Sequence, residues 1–185
     1  GATAACGMQT SASRLGITVH NVGEKQVLFC NLMSFSLRAA VGAGIISGII
    51  ATVVQVALWW LFQEPLPEIL YRDARLAAAI LMGPEVLPPP ASFDWMAMIV
   101  ATLIHFFISI GYGIILAYLA FRLHRLFSLF IGAVFGMAVY VINMYGFTLI
   151  FPWFSIARDW INFFTHIAFG MCLASVYRQL ARHGP

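Results

Sequence analysis

Charged side chains are rare along this chain, and the gaps between them draw its outline. Residues 39–63, 95–121, 126–157 and 160–177 contain no Asp, Glu, Lys or Arg. A helix needs about 20 mostly apolar residues to cross a hydrocarbon core roughly 30 Å thick. The four uncharged runs meet or approach that length, which predicts spans over about 39–62, 95–121, 127–150 and 160–180. Between the first two lies "PEILYRDARLAAAILM", residues 67–82, with Pro67 at a helix start, Glu68 in the first turn and Gly83-Pro84 as a stop. This segment predicts a helix lying at the outer interface. Arg72 and Arg75 mark its wet face, whereas Asp73 falls among Ile69, Leu76, Ala77 and Ile80. The expected fold class is therefore all-α: a polytopic membrane protein of four spans, arranged as two repeated hairpins, plus an outer interfacial helix.

Composition closes off the soluble alternative. The chain is 62% hydrophobic and only 9% charged, where a soluble domain devotes about a quarter of its residues to charge. The excess of ten Lys and Arg over seven acids reads as membrane topology, and no nucleic-acid partner is expected. Three cysteines, Cys6, Cys30 and Cys172, support no disulfide framework. Residues 1–32 are polar, mixed and without periodicity, and lack the apolar run of a signal peptide. They are expected to be a disordered leader, with Met33 as a natural start and 33–185 as the transmembrane domain.

Two signals set the orientation. Arg38, then Arg122, His124 and Arg125, then Arg178, Arg182 and His183 flank the spans at one end. Glu64, Glu68, Asp73, Glu85 and Asp94 gather at the other. Lys and Arg accumulate on the cytoplasmic side, which puts both termini inside a bacterial inner membrane. Trp59, Trp60, Trp95, Trp153 and Trp160 all fall near the predicted outer interface, where an indole is favoured.

An internal repeat runs through the spans. Residues 104–125 placed over 161–182 match at nine of twenty-two positions, including Gly113 over Gly170. More weakly, Gly44, Gly48 and Gln55 lie over Gly132, Gly136 and Asn143. Direct repeats of two hairpins imply a rough two-fold axis along the membrane normal. At 100° per residue, Gly44, Gly48, Thr52 and Gln55 form one stripe, and Gly132, Gly136, Tyr140 and Asn143 another. Small residues also line up as Ser109, Gly113 and Ala117, and as Gly170 and Ala174 below His166. Membrane helices associate through close packing at small residues and hydrogen bonds across the seam. Gln55 and Asn143 thus read as interhelical glue, with a role in solute passage or an idle lipid-facing place as the alternatives. Counting about 1.5 Å per residue from the basic ends puts Gln55, His105, Asn143 and His166 at a similar height, roughly 24–30 Å up. With Ser109, and with Asp73 as a cap, they form the candidate polar pocket. The other reading of Asp73 is a carboxylate that snorkels to water or pairs with Arg158.

His105 and His166 are the only ionisable side chains inside the spans, and such groups are functional candidates by default. They read as satisfied neutral histidines bonded to Ser109, Thr165 or Asn162, as proton sensors, or as ligands of haem or a metal. A one-turn height offset disfavours the haem pairing. No cofactor, no metal site and no catalytic residue is expected, because no HExxH, CxxC, GxSxG or phosphate-loop pattern occurs.

From Met33 onward the chain resembles small bacterial inner-membrane proteins of about four helices. The segments that carry the likeness are "EPLPEILYRDARLAAAILMGPEVLPPP", "YVINMYGFTLIFPWF" and "ARDWINFFTHIAFG". Some members carry the label sodium:proline symporter, and there is a fainter similarity to YagU-type inner-membrane proteins. The resemblance implies the architecture and carries no site residue over. The expected role is small-solute or proton transport or permeability, without enzymatic activity. A structural or accessory subunit docking a partner is the alternative, and a histidine-based haem or quinone subunit a third. The expected partners are the lipid bilayer and either a second copy of the chain or another membrane protein.

Overall fold

The computed structural model describes residues 36–62, 64–120 and 125–183. The expected leader and the basic turn residues Arg122 and His124 lie outside them. Among the described residues every regular element is helical. Helix α1 runs Leu37–Leu61, α2 Glu68–Met82, α3 Trp95–Ala120, α4 Arg125–Val141 and α5 Trp160–His183. Among the described residues four stretches are long and apolar enough to cross a membrane: Leu37–Leu61, Trp95–Leu119, Phe127–Leu149 and Trp160–Arg182. Their outward faces carry large apolar side chains such as Val53, Leu103, Phe107, Phe130 and Leu149. Such a belt suits lipid, with the backbone polar groups satisfied within each helix. The chain is an integral membrane protein.

Local chemistry sets the helix ends. The Ser36 hydroxyl accepts the Ala39 amide at 3.3 Å and starts α1. Asp94 accepts the Ala97 amide at 2.8 Å and Asp159 the Asn162 amide at 2.7 Å, capping α3 and α5. Glu68 lies in the first turn of α2, where the helix dipole favours an acid. Gly83, at φ 92°, ends α2 in a conformation that a side chain would oppose.

α4 departs from a straight span. Beyond Val141 it widens into a π turn, Ile142–Gly146, and then tightens into a 3₁₀ turn, Phe147–Leu149. The ends of this segment are tied by Thr148, whose hydroxyl donates to the Tyr145 carbonyl at 2.8 Å, and by Arg158, whose Nε donates to Met144 O at 2.6 Å. The Arg158 guanidinium also lies over the Tyr145 ring, 4.5 Å from its centre. Arg158 is therefore not the partner of Asp73.

α1 packs against α3 and α5, and α5 against α1 and α4, whereas α3 and α4 touch sparingly. Glycines set these seams. A Cβ on Gly113 would stand 2.8 Å from Ala40 O and 3.1 Å from Gly44 Cα. One on Gly170 would strike Gly132 O and Gly136 in the same manner. Likewise Gly44 faces Ser109 O and Ile110 Cα, while Gly136 faces His166 O and Ile167 Cα. Residues 109 and 166 are 57 apart, as are 113 and 170, so Gly136 holds the place of Gly44, and Gly132 that of Ala40. These contacts match Gly44 with Gly136, one turn away from the register expected from sequence, Gly44 over Gly132. Gln55 and Asn143 are consequently not equivalent.

The interior falls into two levels. At the end where α1 begins and α5 finishes, Ala39, Ala40, Ala43, Leu116, Ala117, Phe169, Leu173, Ala174 and Tyr177 form a dense floor. At the other end α2 dips into three clusters: Ile69 with Trp59 and Ile161, Leu76 with Tyr140, Met144 and Ala157, and Ala78 with Ala97 and Ala101. Trp59 is 2% exposed and belongs to this packing, not to an interfacial belt, unlike Trp60 at 74%. The wet face assigned to Arg72 and Arg75 also changes. Arg75 donates to Ser92 O at 2.9 Å and Val86 O at 3.1 Å, fastening the return loop, and Arg72 pairs with Asp73.

Candidate functional site

Between floor and roof lie two neighbouring cavities. The first, about 190 Å³, is lined by Thr52 and Gln55 of α1, His105, Ser109 and Tyr112 of α3, Asn143 of the π turn, and Thr165 and His166 of α5. The second, about 400 Å³, shares Thr52, Gln55 and His105, and adds Asp73 of α2 and Asn162 of α5. Gln55, His105, Ser109, Asn143 and His166 thus border one space, while Asp73 borders only its neighbour.

Their hydrogen bonds form a line across four helices. The Tyr112 hydroxyl donates to Asn143 Oδ1 at 2.7 Å. Asn143 Nδ2 lies 3.3 Å from His166 Nε2, and His166 Nδ1 lies 2.7 Å from the Asn162 carbonyl of its own helix. A carbonyl only accepts, so Nδ1 carries the hydrogen and Nε2 accepts from the Asn143 amide. Gln55 Nε2 then donates to Asn162 Oδ1 at 2.9 Å, and Asn162 Nδ2 donates to Ala157 O at 3.0 Å and to Asp159 Oδ2 at 3.3 Å. Gln55 therefore ties α1 to α5, and Asn143 ties α4 to both α3 and α5.

His105 has a different office. Its Nε2 is 3.3 Å from Gly48 O and 3.5 Å from Thr52 Oγ1, while Thr52 itself donates to Gly48 O at 3.1 Å. The ring thus holds α3 onto the α1 backbone where Gly48 has no side chain to keep it away. Neither histidine takes Ser109 or Thr165 as a partner, and the Asn162 contact is made by its carbonyl. Thr165, 4% exposed, keeps a buried hydroxyl with no hydrogen-bond partner in the protein.

Asp73 is bound by Arg72, with Nη2 at 2.8 Å and Nε at 2.9 Å. Burial raises its pKa above the ordinary carboxylate value, against the opposing pull of the Arg72 charge. Asp159 adds to the rise, and a hydrogen bond from Asn162 lowers it. Among the described residues no three His, Cys, Asp or Glu side chains gather closely enough to hold a metal ion.

Sequence reasoning left Tyr112 and Thr52 out of the pocket, and used Asn162 and Thr165 only as histidine partners. Asn162 was within reach, four residues before His166 on the same face. Tyr112 gave no signal, because it flanks the small-residue row it serves. Comparison with protein-family models, with curated proteins and with solved structures finds no match for this chain.

Proposed function

We propose that the chain is a transport or permeability protein of a bacterial inner membrane, its cavity handling a small polar solute or protons. The observation that carries this reading is the hydrogen-bonded line Tyr112–Asn143–His166–Asn162–Gln55 along a cavity wall. A single interhelical hydrogen bond in a membrane is worth about 0.6 kcal/mol on average. Here five residues on four helices act as one line beside an unpartnered Thr165 hydroxyl, which an occupant can engage.

The line also couples protonation to shape. A proton added at His166 Nε2 requires the Asn143 amide to turn its oxygen toward the ring and its nitrogen toward Tyr112. The Tyr112 oxygen then becomes an acceptor, and its hydrogen swings elsewhere. One proton on α5 thereby rearranges contacts to α4 and α3. Asp159, His105 and Tyr140, whose ring centre lies 5.6 Å from that of His166, are other ionisable groups near this ring among the described residues.

Several finer features accord with the reading. Arg38, Arg178 and Arg182 share the floor end, while Glu64, Glu68, Glu85 and Asp94 share the roof end, which favours cytoplasmic termini and an outer position for α2. The matched glycine contacts of α1/α3 and α4/α5 favour two directly repeated hairpins. The thin contact between α3 and α4 leaves room for a second copy, favouring a homo-oligomer. All of this fits the small four-helix inner-membrane proteins that the sequence resembles, and asks no catalytic step of the chain.

The test is flux in proteoliposomes, with lumenal pH followed by a trapped dye and vesicle swelling followed in small polar solutes. Wild-type protein should conduct in one of the two assays. His105→Ala and His166→Ala should each lower that rate at least several-fold. Rates unchanged in both variants would falsify the transport reading and favour an accessory subunit.

A further inference from the structure

A separate cavity lies at the floor end, outside the polar line. It has a volume of about 280 Å³ and is lined by Ser128 of α4 and by Ser175, Arg178, Gln179 and Arg182 of α5. Ser128 opens one span and Arg182 closes another, so the cavity sits at the depth where hydrocarbon gives way to headgroups.

Among the described residues its charged lining is one-sided. Arg178 and Arg182 border it, and neither α4 nor α5 contains an Asp or Glu. Arg178 also keeps a contact within the protein, and Arg182 is exposed. Ser128 lies in the first described turn of α4. Independently, the Ser128 side chain is fully buried, and its hydroxyl has no hydrogen-bond partner. A buried donor without an acceptor, beside two arginines, calls for an anion with several acceptor oxygens. Ser175 spends its hydrogen on Met171 O at 2.8 Å, so Ser128 and Gln179 are the neutral donors available.

We infer that this cavity binds a phosphate group, supplied either by the phosphodiester of an anionic lipid headgroup or by free phosphate. Basic recesses between membrane helices are suited to such headgroups, and each arginine near the membrane surface strengthens binding roughly fivefold.

The experiment is native mass spectrometry of the full chain purified in detergent, titrated with phosphatidylglycerol, with phosphatidylcholine, or with inorganic phosphate. Phosphatidylglycerol should be retained over phosphatidylcholine. Arg178→Gln and Arg182→Gln should each weaken it roughly fivefold. Ser128→Ala should weaken it several-fold while leaving thermal stability in detergent unchanged or raised, since it deletes an unpartnered hydroxyl. Retention that persists in millimolar inorganic phosphate identifies the lipid as the source; displacement by phosphate identifies the free anion, and either supports the site. Equal retention of both lipids with no effect of phosphate overturns it. So does a Ser128→Ala variant that binds like wild type while the arginine variants weaken, since that pattern is surface charge without a cavity.

Discussion

Gly113 and Gly111 lie two residues apart on α3, and the structure assigns them opposite fates on substitution by alanine. A methyl group on Gly113 would stand 2.8 Å from Ala40 O, 3.1 Å from Gly44 Cα and 3.2 Å from Gly44 N. All three are backbone atoms, so no rotamer change relieves the contact. Carbon atoms pack best at about 3.5–4.0 Å, so α1 and α3 must separate by roughly 0.5 Å or more. A gap of that size forfeits a quarter to a half of each van der Waals well along the seam. It also stretches the link from His105 Nε2 to Gly48 O, already 3.3 Å. Overpacking of this kind costs about 1–3 kcal/mol. Around Gly111 nothing lies within 4 Å of the added methyl. Gly111→Ala should therefore be neutral or stabilising by up to about 1 kcal/mol, the gain in helix propensity of alanine over glycine. Reversible unfolding in mixed micelles, titrated with denaturing detergent, measures both. If Gly113→Ala proves as stable as Gly111→Ala, the close approach of α1 and α3 is wrong, and with it the glycine basis of the seams.

Two further outcomes follow from the polar interior. Tyr112→Phe removes the donor to Asn143 Oδ1 and Gln55→Leu the donor to Asn162 Oδ1; each should cost about 0.6 kcal/mol and at most roughly 2 in the same unfolding assay, and no loss in either would dissolve the line. Burial holds the Asp73 carboxyl above the ordinary carboxylate range, so the folded state holds its proton more tightly than the unfolded state does. Its contribution to stability is therefore lost as pH rises from about 4 through the folded value, and Asp73→Asn should flatten that decline in a detergent melting series run upward from about pH 4.

The spans were legible because charge in lipid is costly, and a run of 25 uncharged residues such as 39–63 has no soluble use. α2 was legible for a local reason: Pro67, Glu68 and Gly83 punctuate it independently of its surroundings. The pocket was only half visible. Stripes at 100° per residue find Gln55 in a straight helix, but they cannot foresee the π turn that begins one residue before Asn143. The repeat register slipped because Ala40, Gly44 and Gly48 are small residues four apart, and such a pattern matches itself when shifted one turn. Trp59 illustrates a further limit. An indole near a span end satisfies the interfacial rule whether it faces lipid or α2, and only the position of α2 decides between them.

The π turn has a mechanical consequence. It holds one residue more than the α-helical turn it replaces, so everything past Gly146 is swung by about 100° from a straight continuation. That surplus residue is slack inside a span. Drawing it back into α-helical form would twist Phe147 and Thr148 around the axis and break the ties from Thr148 to Tyr145 and from Arg158 to Met144, without unwinding Arg125–Val141. The joint lies where Asn143 meets His166, so those ties, and not the seam that Gly132 and Gly136 make with α5, hold the far tip of the span in place.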